Sequence, residues 1–462
     1  MMGEKHVWIG SPKIARALLE QRAAIYSSRP PVHAVPGSDT LPHYLPLMAS
    51  GEAWNRHRHF YTTALITSHN AHYHGVIEEE VILFLQQLLN QPKGYYALID
   101  SFTGRLSARL NYGSPASAAA HIRNAYEFIP QISPSGPKTN LMPFLAHLPE
   151  WLNTSKREVR ERREREAVLW QGLLTNFRTA YDAGTAQPPC HARLYFDRKK
   201  NGPSVDGKAA PPFEPSAATN PSAFGFAPDD AEFAYALGML TTVAIFTVGG
   251  LLNTFFLSMV CHPDWQSRVR SELDAVLGSR LVPSKSDVAH LPILRAVLKE
   301  SLRWRPAVPL GVPRLVEADN EYDGCVISKG TIAHVVEMAL ARDPEVYPDA
   351  EAFRPERWLE AGWPTYREPL TRYPTLQGHH QFGFGRRVCP GVAYTEAAAV
   401  SFCGGLLRCF ELRRKVGSDG REVVPDTWDR TSNLIGGPLE FEFSVVVREG
   451  IKESLAGMKE AA

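Results

Sequence analysis

Between Phe382 and Gly391 the chain reads FGFGRRVCPG, and this stretch restricts the possible folds more tightly than any other. It sets one cysteine, Cys389, among glycines and arginines just before an apolar helix-forming run, VAYTEAAAVSFCGGLLRCF. A thiol there stands at a helix start, where free N–H groups and the positive end of the macrodipole favour thiolate over thiol. Gly383, Gly385 and Gly391 let the backbone turn sharply and approach a flat, bulky object. Arg387, two residues before the cysteine, adds a fixed cation suited to a carboxylate.

A thiolate, a close backbone and a carboxylate-binding arginine describe the proximal side of a haem with an axial cysteine. The stretch fits FxxGxRxCxG at every defined position and so resembles the haem-binding signature of the cytochrome P-450 superfamily. The plain alternative is a buried structural cysteine in a Gly-rich turn. The resemblance implies haem b with Cys389 as the iron ligand, and Phe382, Gly383, Arg387 and Gly391 around it. Glu300 and Arg303 of KESLRWRP lie three apart on one helix face, where they can pair. They look like the superfamily's ExxR helix, and Arg357 of FRPERW completes the charge triad that holds the cysteine loop in relatives. Trp54 and Arg58 form WxxxR, a pair that in the family donates to one haem propionate; Arg314 of LGVPRL stands where relatives reach the other.

The similarity covers nearly the whole chain. YSSRP from Tyr26, LMPFLAHLPEW from Leu141, CHPDWQSRVRSELDAVLG from Cys261 and ARDPEVYPDAEAFRPERW from Ala341 read like fungal members that oxidise polyketides and terpenoids. The implied fold is mainly α, one haem-thiolate domain over 1–462 with small β-sheets. Acidic and basic residues number 49 and 50, which gives no electrostatic case for nucleic acid. The six cysteines show no metal-binding spacing. The implied partners are an apolar small molecule and NADPH–cytochrome P-450 reductase, with a monomer expected.

Tyr235 to Cys261 carries no charged residue, so hydropathy alone reads it as a membrane span. Against this stand Gly249 and Gly250, Thr241, Thr242, Thr247 and Asn253, and charged flanks. The resemblance makes it the long helix crossing the distal haem face, apolar all round because it is buried all round. Segment 184–229, rich in Pro, Ala, Gly and Ser, reads as a mobile loop without helical or strand period. KREVRERREREA, Lys156 to Ala167, interleaves acids and bases and reads as a solvated helix face. Microsomal relatives open with an apolar anchor at the endoplasmic reticulum membrane. Here GEKHVWIGSPKIARALLEQ reads directly as the first strand and helix, so a soluble chain is expected, with a membrane surface as a further partner of a longer form.

The departure from the family lies in the distal helix. Relatives carry an acid followed by Thr in a pattern like AGxDTT; here the threonine is Thr247 and Phe246 fills the acid's place, with Val243 and Ala244 before it. A Phe carries no protons and expels water. Either Phe246 only shapes a pocket while Thr247 and water suffice, or the usual relay is broken. The first reading is a monooxygenase. The second is a haem-thiolate enzyme without ordinary oxygenase turnover, namely a peroxide user, isomerase, dehydratase or cyclase; a non-catalytic haem binder is a third. The distal pocket is expected to include Val243, Phe246, Val308, Leu310 and Ile435, with His33, His43 and Tyr44 as hydrogen-bonding candidates.

Overall fold

The computed structural model describes residues 4–71, 73–185, 188–201, 224–366 and 376–457. Helices dominate them: α1 (Pro12–Leu19), α2 (Glu52–Ala71), α3 (Tyr73–Asn90), α4 (Tyr95–Tyr112), α5 (Ala118–Ile132), α6 (Ser155–Asp182), α7 (His191–Asn201), α8 (Ala231–Cys261), α9 (Pro263–Leu277), α10 (Pro292–Trp304), α11 (Glu337–Leu340), α12 (Val392–Cys409) and α13 (Ile451–Ala456). The strands are short: β1 (His6–Ile9), β2 (Arg314–Leu315), β3 (Asn320–Tyr322), β4 (Cys325–Ile327), β5 (Ile332–Val335), β6 (Phe410–Val416), β7 (Glu422–Val423) and β8 (Phe443–Val447). They form a β1-β5-β2 sheet, a β3-β4 hairpin and a β7-β6-β8 sheet. In the first, Val7 pairs in parallel and Arg314 antiparallel with Ala333, and from this strand Arg314 Nη2 donates to Phe384 O (3.1 Å).

The uncharged run is the axis of this arrangement. α8 starts at Asp230, whose buried carboxylate accepts from Tyr195 Oη (2.6 Å) and Lys199 Nζ (2.5 Å). It ends where Pro263 opens α9, a first-turn position that needs no N–H. By length and composition α8 is able to cross a membrane, yet it is mostly buried: α4, α5, α6, α10 and α12 pack around it. Two glycines permit that closeness. A Cβ at Gly238 would fall 2.2 Å from the Trp170 ring of α6, and one at Gly250 would meet Gly436 O at 3.1 Å.

Two local expectations are corrected. Segment 184–229 is not all loop: His191 to Asn201 forms α7, with residues 186–187 and 202–223 outside the described residues. Its Ala192, Tyr195 and Phe196 are buried at helical spacing, and Tyr195 stacks on Phe233 at 3.6 Å between centroids. The acid–base run 156–167 is not a solvated face throughout either. Val159, Arg162, Glu166 and Trp170 form a buried stripe on α6.

Candidate haem-thiolate site

The cysteine loop folds back on itself before α12. Cys389 N donates to Phe382 O (2.8 Å), and Gly391 N points at the Cys389 sulfur (3.3 Å). Gly385 has φ +59°, and a Cβ there would lie 2.0 Å from Leu19 O at the end of α1. Only a glycine allows the loop to lie flush against α1 with this backbone. The thiol differs from expectation in one respect. Burial pushes its pKa up, and the Gly391 N–H and the Arg58 charge only oppose this. Burial thus works against the helix start, and a bound iron would favour the thiolate form.

The sulfur faces a cavity of about 300 Å³. Trp54, Arg58, Arg314, Phe382, Gly383, Arg387, Cys389 and Gly391 all line it, as do Thr247, Val243, Val308 and Ile435. Arginines crowd one part of the lining. Arg387 lies over the Trp54 ring at 4.2 Å and donates through Nε to Ser27 O (2.6 Å) and Nη2 to Met48 O (2.8 Å). Its Nη1 is buried without a hydrogen-bond partner. Arg314 donates to Tyr26 O (3.3 Å) and Phe384 O (3.1 Å), and Arg58 makes no hydrogen bond among the described residues. Arg29, which sequence reasoning passed over inside YSSRP, is the fourth, donating to Pro46 O (2.9 Å), Val312 O and Pro313 O (both 2.6 Å).

Burial, followed by repulsion from Arg314 and Arg58, pulls Arg387 down to about 9; burial pulls Arg314 to about 10, against the attraction of Glu337. Glu337 also lines the cavity, but its carboxylate is engaged by His380 Nδ1 at 2.6 Å. A buried cluster of cations with a free N–H requires an anion. A cysteine sulfur in the lining, the small residues Gly383 and Gly391 beside it and arginines placed for carboxylates fit haem b, so these residues would hold it.

The remaining lining is apolar, with Leu45, Leu240, Ala244 and Val248 among its members. Thr247 Oγ1 donates to Val243 O (3.0 Å) one turn back along α8. Two pocket expectations are corrected. Phe246 is not in the lining; its ring meets Tyr126 of α5 edge-on at 4.8 Å, in the apolar cluster between α8 and α5. Leu310 is 39% exposed and also outside the lining, because the turn at Gly311 directs it to solvent. The three hydrogen-bonding candidates are elsewhere too: His33 pairs with Glu4 (3.3 Å), His43 stacks on Tyr235 (3.8 Å) and Tyr44 bonds Glu166 (2.5 Å).

Away from the cavity, the triad residues form one fully buried cluster. Arg303 donates to both Glu300 oxygens (2.9 and 2.7 Å), and Arg357 Nε lies 3.4 Å from Glu300 Oε1. Arg303 also binds Ala341 O, Ala350 O and Ala352 O, and Arg357 binds Pro348 O and Asp349 O. The cluster thus ties α10 to segment 341–357.

The family model for cytochrome P450 matches residues 229–425. The chain is 29% identical over 433 residues to the cytochrome P450 monooxygenase psoD of Aspergillus fumigatus, covering 91% of this chain and 78% of that one. It is 27% identical over 454 residues to cytochrome P450 monooxygenase 58 of Postia placenta, covering 96% and 81%. The fold superposes on a zebra fish cytochrome P450 solved with progesterone, at a TM-score of 0.75 and 19% identity over 96% of this chain and 94% of the other. With a cysteine-bearing haem slot, an apolar distal helix and these likenesses together, the chain belongs to the cytochrome P450 family, the haem-thiolate monooxygenases.

Proposed function

We propose that the chain oxidises an apolar small molecule of the polyketide or terpenoid type, using O2 and electrons from NADPH supplied by NADPH–cytochrome P450 reductase. The observation that carries this reading is the apolar cavity that meets Cys389 on one side and Thr247 on the other. Haem, when bound, would supply dioxygen activation, which thiolate ligation favours by donating electron density. The chain's own residues do the rest. Cys389 would hold the iron; Arg58, Arg387 and Arg314, with Trp54, would hold the carboxylates. Glu300, Arg303 and Arg357 fix the loop, and the described segments act as one catalytic domain. Val243, Val308 and Ile435 exclude water and orient an apolar substrate. Thr247 Oγ1 holds a water or proton at the distal face.

A second reading, a haem-thiolate enzyme without oxygenase turnover, starts from the lack of an acid next to Thr247 in the sequence, although the Phe246 ring itself packs on Tyr126 outside the cavity lining. Reconstitution with NADPH, the reductase and labelled O2 against a panel of polyketide and terpenoid scaffolds separates the two. Labelled product, lost in Thr247→Ala while peroxide release rises, supports the first. Product that forms without NADPH, or without label, sinks it.

A further inference from the structure

A buried charged cluster lies outside the cavity and is used by none of the roles above. Arg162 and Glu166 of α6 are 1% and 2% exposed, with Nη1 and Oε2 at 2.6 Å. Two charges withdrawn from water cost more free energy than apolar residues of the same size, so fold stability is not what they supply. Their polar atoms are met by partners from elsewhere in the chain. Tyr44 Oη donates to Glu166 Oε1 (2.5 Å) and accepts from Arg162 Nη2 (3.0 Å). From α5, Asn124 Nδ2 donates to Glu166 Oε2 (3.0 Å), and Gln131 Oε1 accepts from Arg162 Nε (2.7 Å). The Tyr44 ring also stacks on Phe128 of α5 at 4.9 Å. One phenol therefore joins α5 and α6 to the segment that begins at residue 44.

That segment is short and stiff. Leu47 N (2.7 Å) and Met48 N (3.1 Å) both donate to Tyr44 O, closing a tight turn. Leu45 and Pro46 line the cavity. At its inner end, Pro46 O accepts from Arg29 Nε (2.9 Å) and Met48 O from Arg387 Nη2 (2.8 Å). The same few residues are thus anchored outside on a buried ion pair and inside on two of the arginines that border the cofactor slot.

We propose that residues 44–48 are a strut coupling α5 and α6 to the cofactor-binding arginines, and that Tyr44, Arg162 and Glu166 are positioning residues governing how bulky apolar ligands are admitted and retained beside Leu45 and Pro46. This rests on the haem-thiolate reading of the cavity. With the strut intact, the wall at Leu45 and Pro46 moves only if α5 and α6 move with it. Cutting its outer end frees the wall while Arg162 and Glu166 keep each other, Asn124 and Gln131. Tyr44→Phe makes that cut by removing one oxygen.

The test is stopped-flow binding of two azoles to the holoenzyme, followed by the Soret shift on iron ligation. 4-Phenylimidazole must pass the wall, whereas imidazole is small enough to ignore it. In Tyr44→Phe, association and dissociation of 4-phenylimidazole should both accelerate about tenfold, the scale of losing a hydrogen bond to a charged group. Imidazole rates should stay at the wild-type value, and hydrogen exchange at Leu45 to Met48 should speed up. The paired variant Arg162→Met with Glu166→Leu should keep its haem and reproduce the Tyr44→Phe rates, since apolar replacement of a buried ion pair is tolerated by folds. Wild-type rates for both azoles in Tyr44→Phe, or equal acceleration of both, overturn the strut. The reduced carbon monoxide spectrum of the same samples separates the two levels. A wild type without the thiolate band overturns the site and the strut with it; a normal band with unchanged rates overturns the strut alone.

Discussion

Removing the Glu300 carboxylate should cost the protein its haem before it costs the enzyme its chemistry. The side chain is fully buried, and four hydrogen bonds converge on it: two from Arg303 (2.9 and 2.7 Å), one from Arg354 N (2.8 Å) and one from Trp358 Nε1 (3.2 Å). Arg357 adds its charge at 3.4 Å. Breaking a buried pair by deleting one partner costs about 3–5 kcal/mol. Here one carboxylate serves two buried guanidiniums, so Glu300→Ala belongs at the upper end, about 5 kcal/mol, against a total stability of about 5–15 kcal/mol for a typical fold. Glu300→Gln keeps the volume and one acceptor oxygen but turns an N–H2 toward N–H donors, so its loss should be nearly as large. Glu300→Asp keeps the charge but falls short of the donors and should be intermediate. Haem content from the Soret band and urea unfolding followed by circular dichroism give the two readouts. Glu300→Ala with wild-type haem content and an unchanged midpoint would refute the reasoning, because the triad would then carry no net free energy.

Further outcomes follow from other residues. Cys389→Ala should lose the red-shifted Soret band of the reduced carbon monoxide complex and most of its haem; a variant keeping both is not missing its iron ligand. Gly385→Ala should be far more damaging than Gly378→Ala, although both have positive φ, because a Cβ at Gly385 meets Leu19 O at 2.0 Å whereas one at Gly378 meets open space. Equal thermal midpoints for the two would show that the loop does not lie against α1. Burial lifts the Asp100 carboxyl to about 6, with the Tyr126 hydroxyl opposing it. A folded-state pKa raised above 3.8 means that the native state binds this proton more tightly, so stability falls as pH rises from about 4 to about 6 and stays lower above. Asp100→Asn should therefore melt higher than wild type near pH 7 and show no gain near pH 4; the opposite order would contradict the burial.

The readable parts of this site were those whose geometry is local. A glycine-rich loop ending at Cys389, an i,i+3 pair at Glu300 and Arg303, and an i,i+4 pair at Trp54 and Arg58 are fixed by backbone periodicity before any tertiary contact forms. Arg29 left no such trace. Its partners are carbonyls of Pro46, Val312 and Pro313, 17 to 284 residues away, and carbonyls carry no sequence identity. Arg162 and Glu166 were visible but misread. An i,i+4 acid–base pair on a charged helix looks the same whether water or protein covers it. Only the continuation of the stripe through Val159 and Trp170 distinguishes the two. In α7 the signal at Ala192, Tyr195 and Phe196 was outweighed by the flanking composition of segment 184–229.

Phe246 shows how the same limitation bears on mechanism. Adjacent residues on a helix point about 100° apart, given 3.6 residues per turn. With Thr247 on the cavity wall, position 246 is turned away from it, toward Tyr126 and the cluster containing Met239, Phe128 and Leu434. Read along the sequence, Phe246 was either a pocket wall or a broken proton relay; in the fold it is a packing residue between α8 and α5. An acid placed there would stand among apolar side chains, and the hydroxyl of the neighbouring Tyr126 already donates to Asp100 at 2.5 Å. Such a carboxyl would be held protonated by desolvation and would carry the cost of an unmet polar group. Poor activity in Phe246→Asp would therefore say little about proton delivery, whereas Thr247→Ala removes a hydroxyl from the cavity wall without disturbing that cluster. Coupling of NADPH to product in Thr247→Ala is the measurement on which the relay stands or falls.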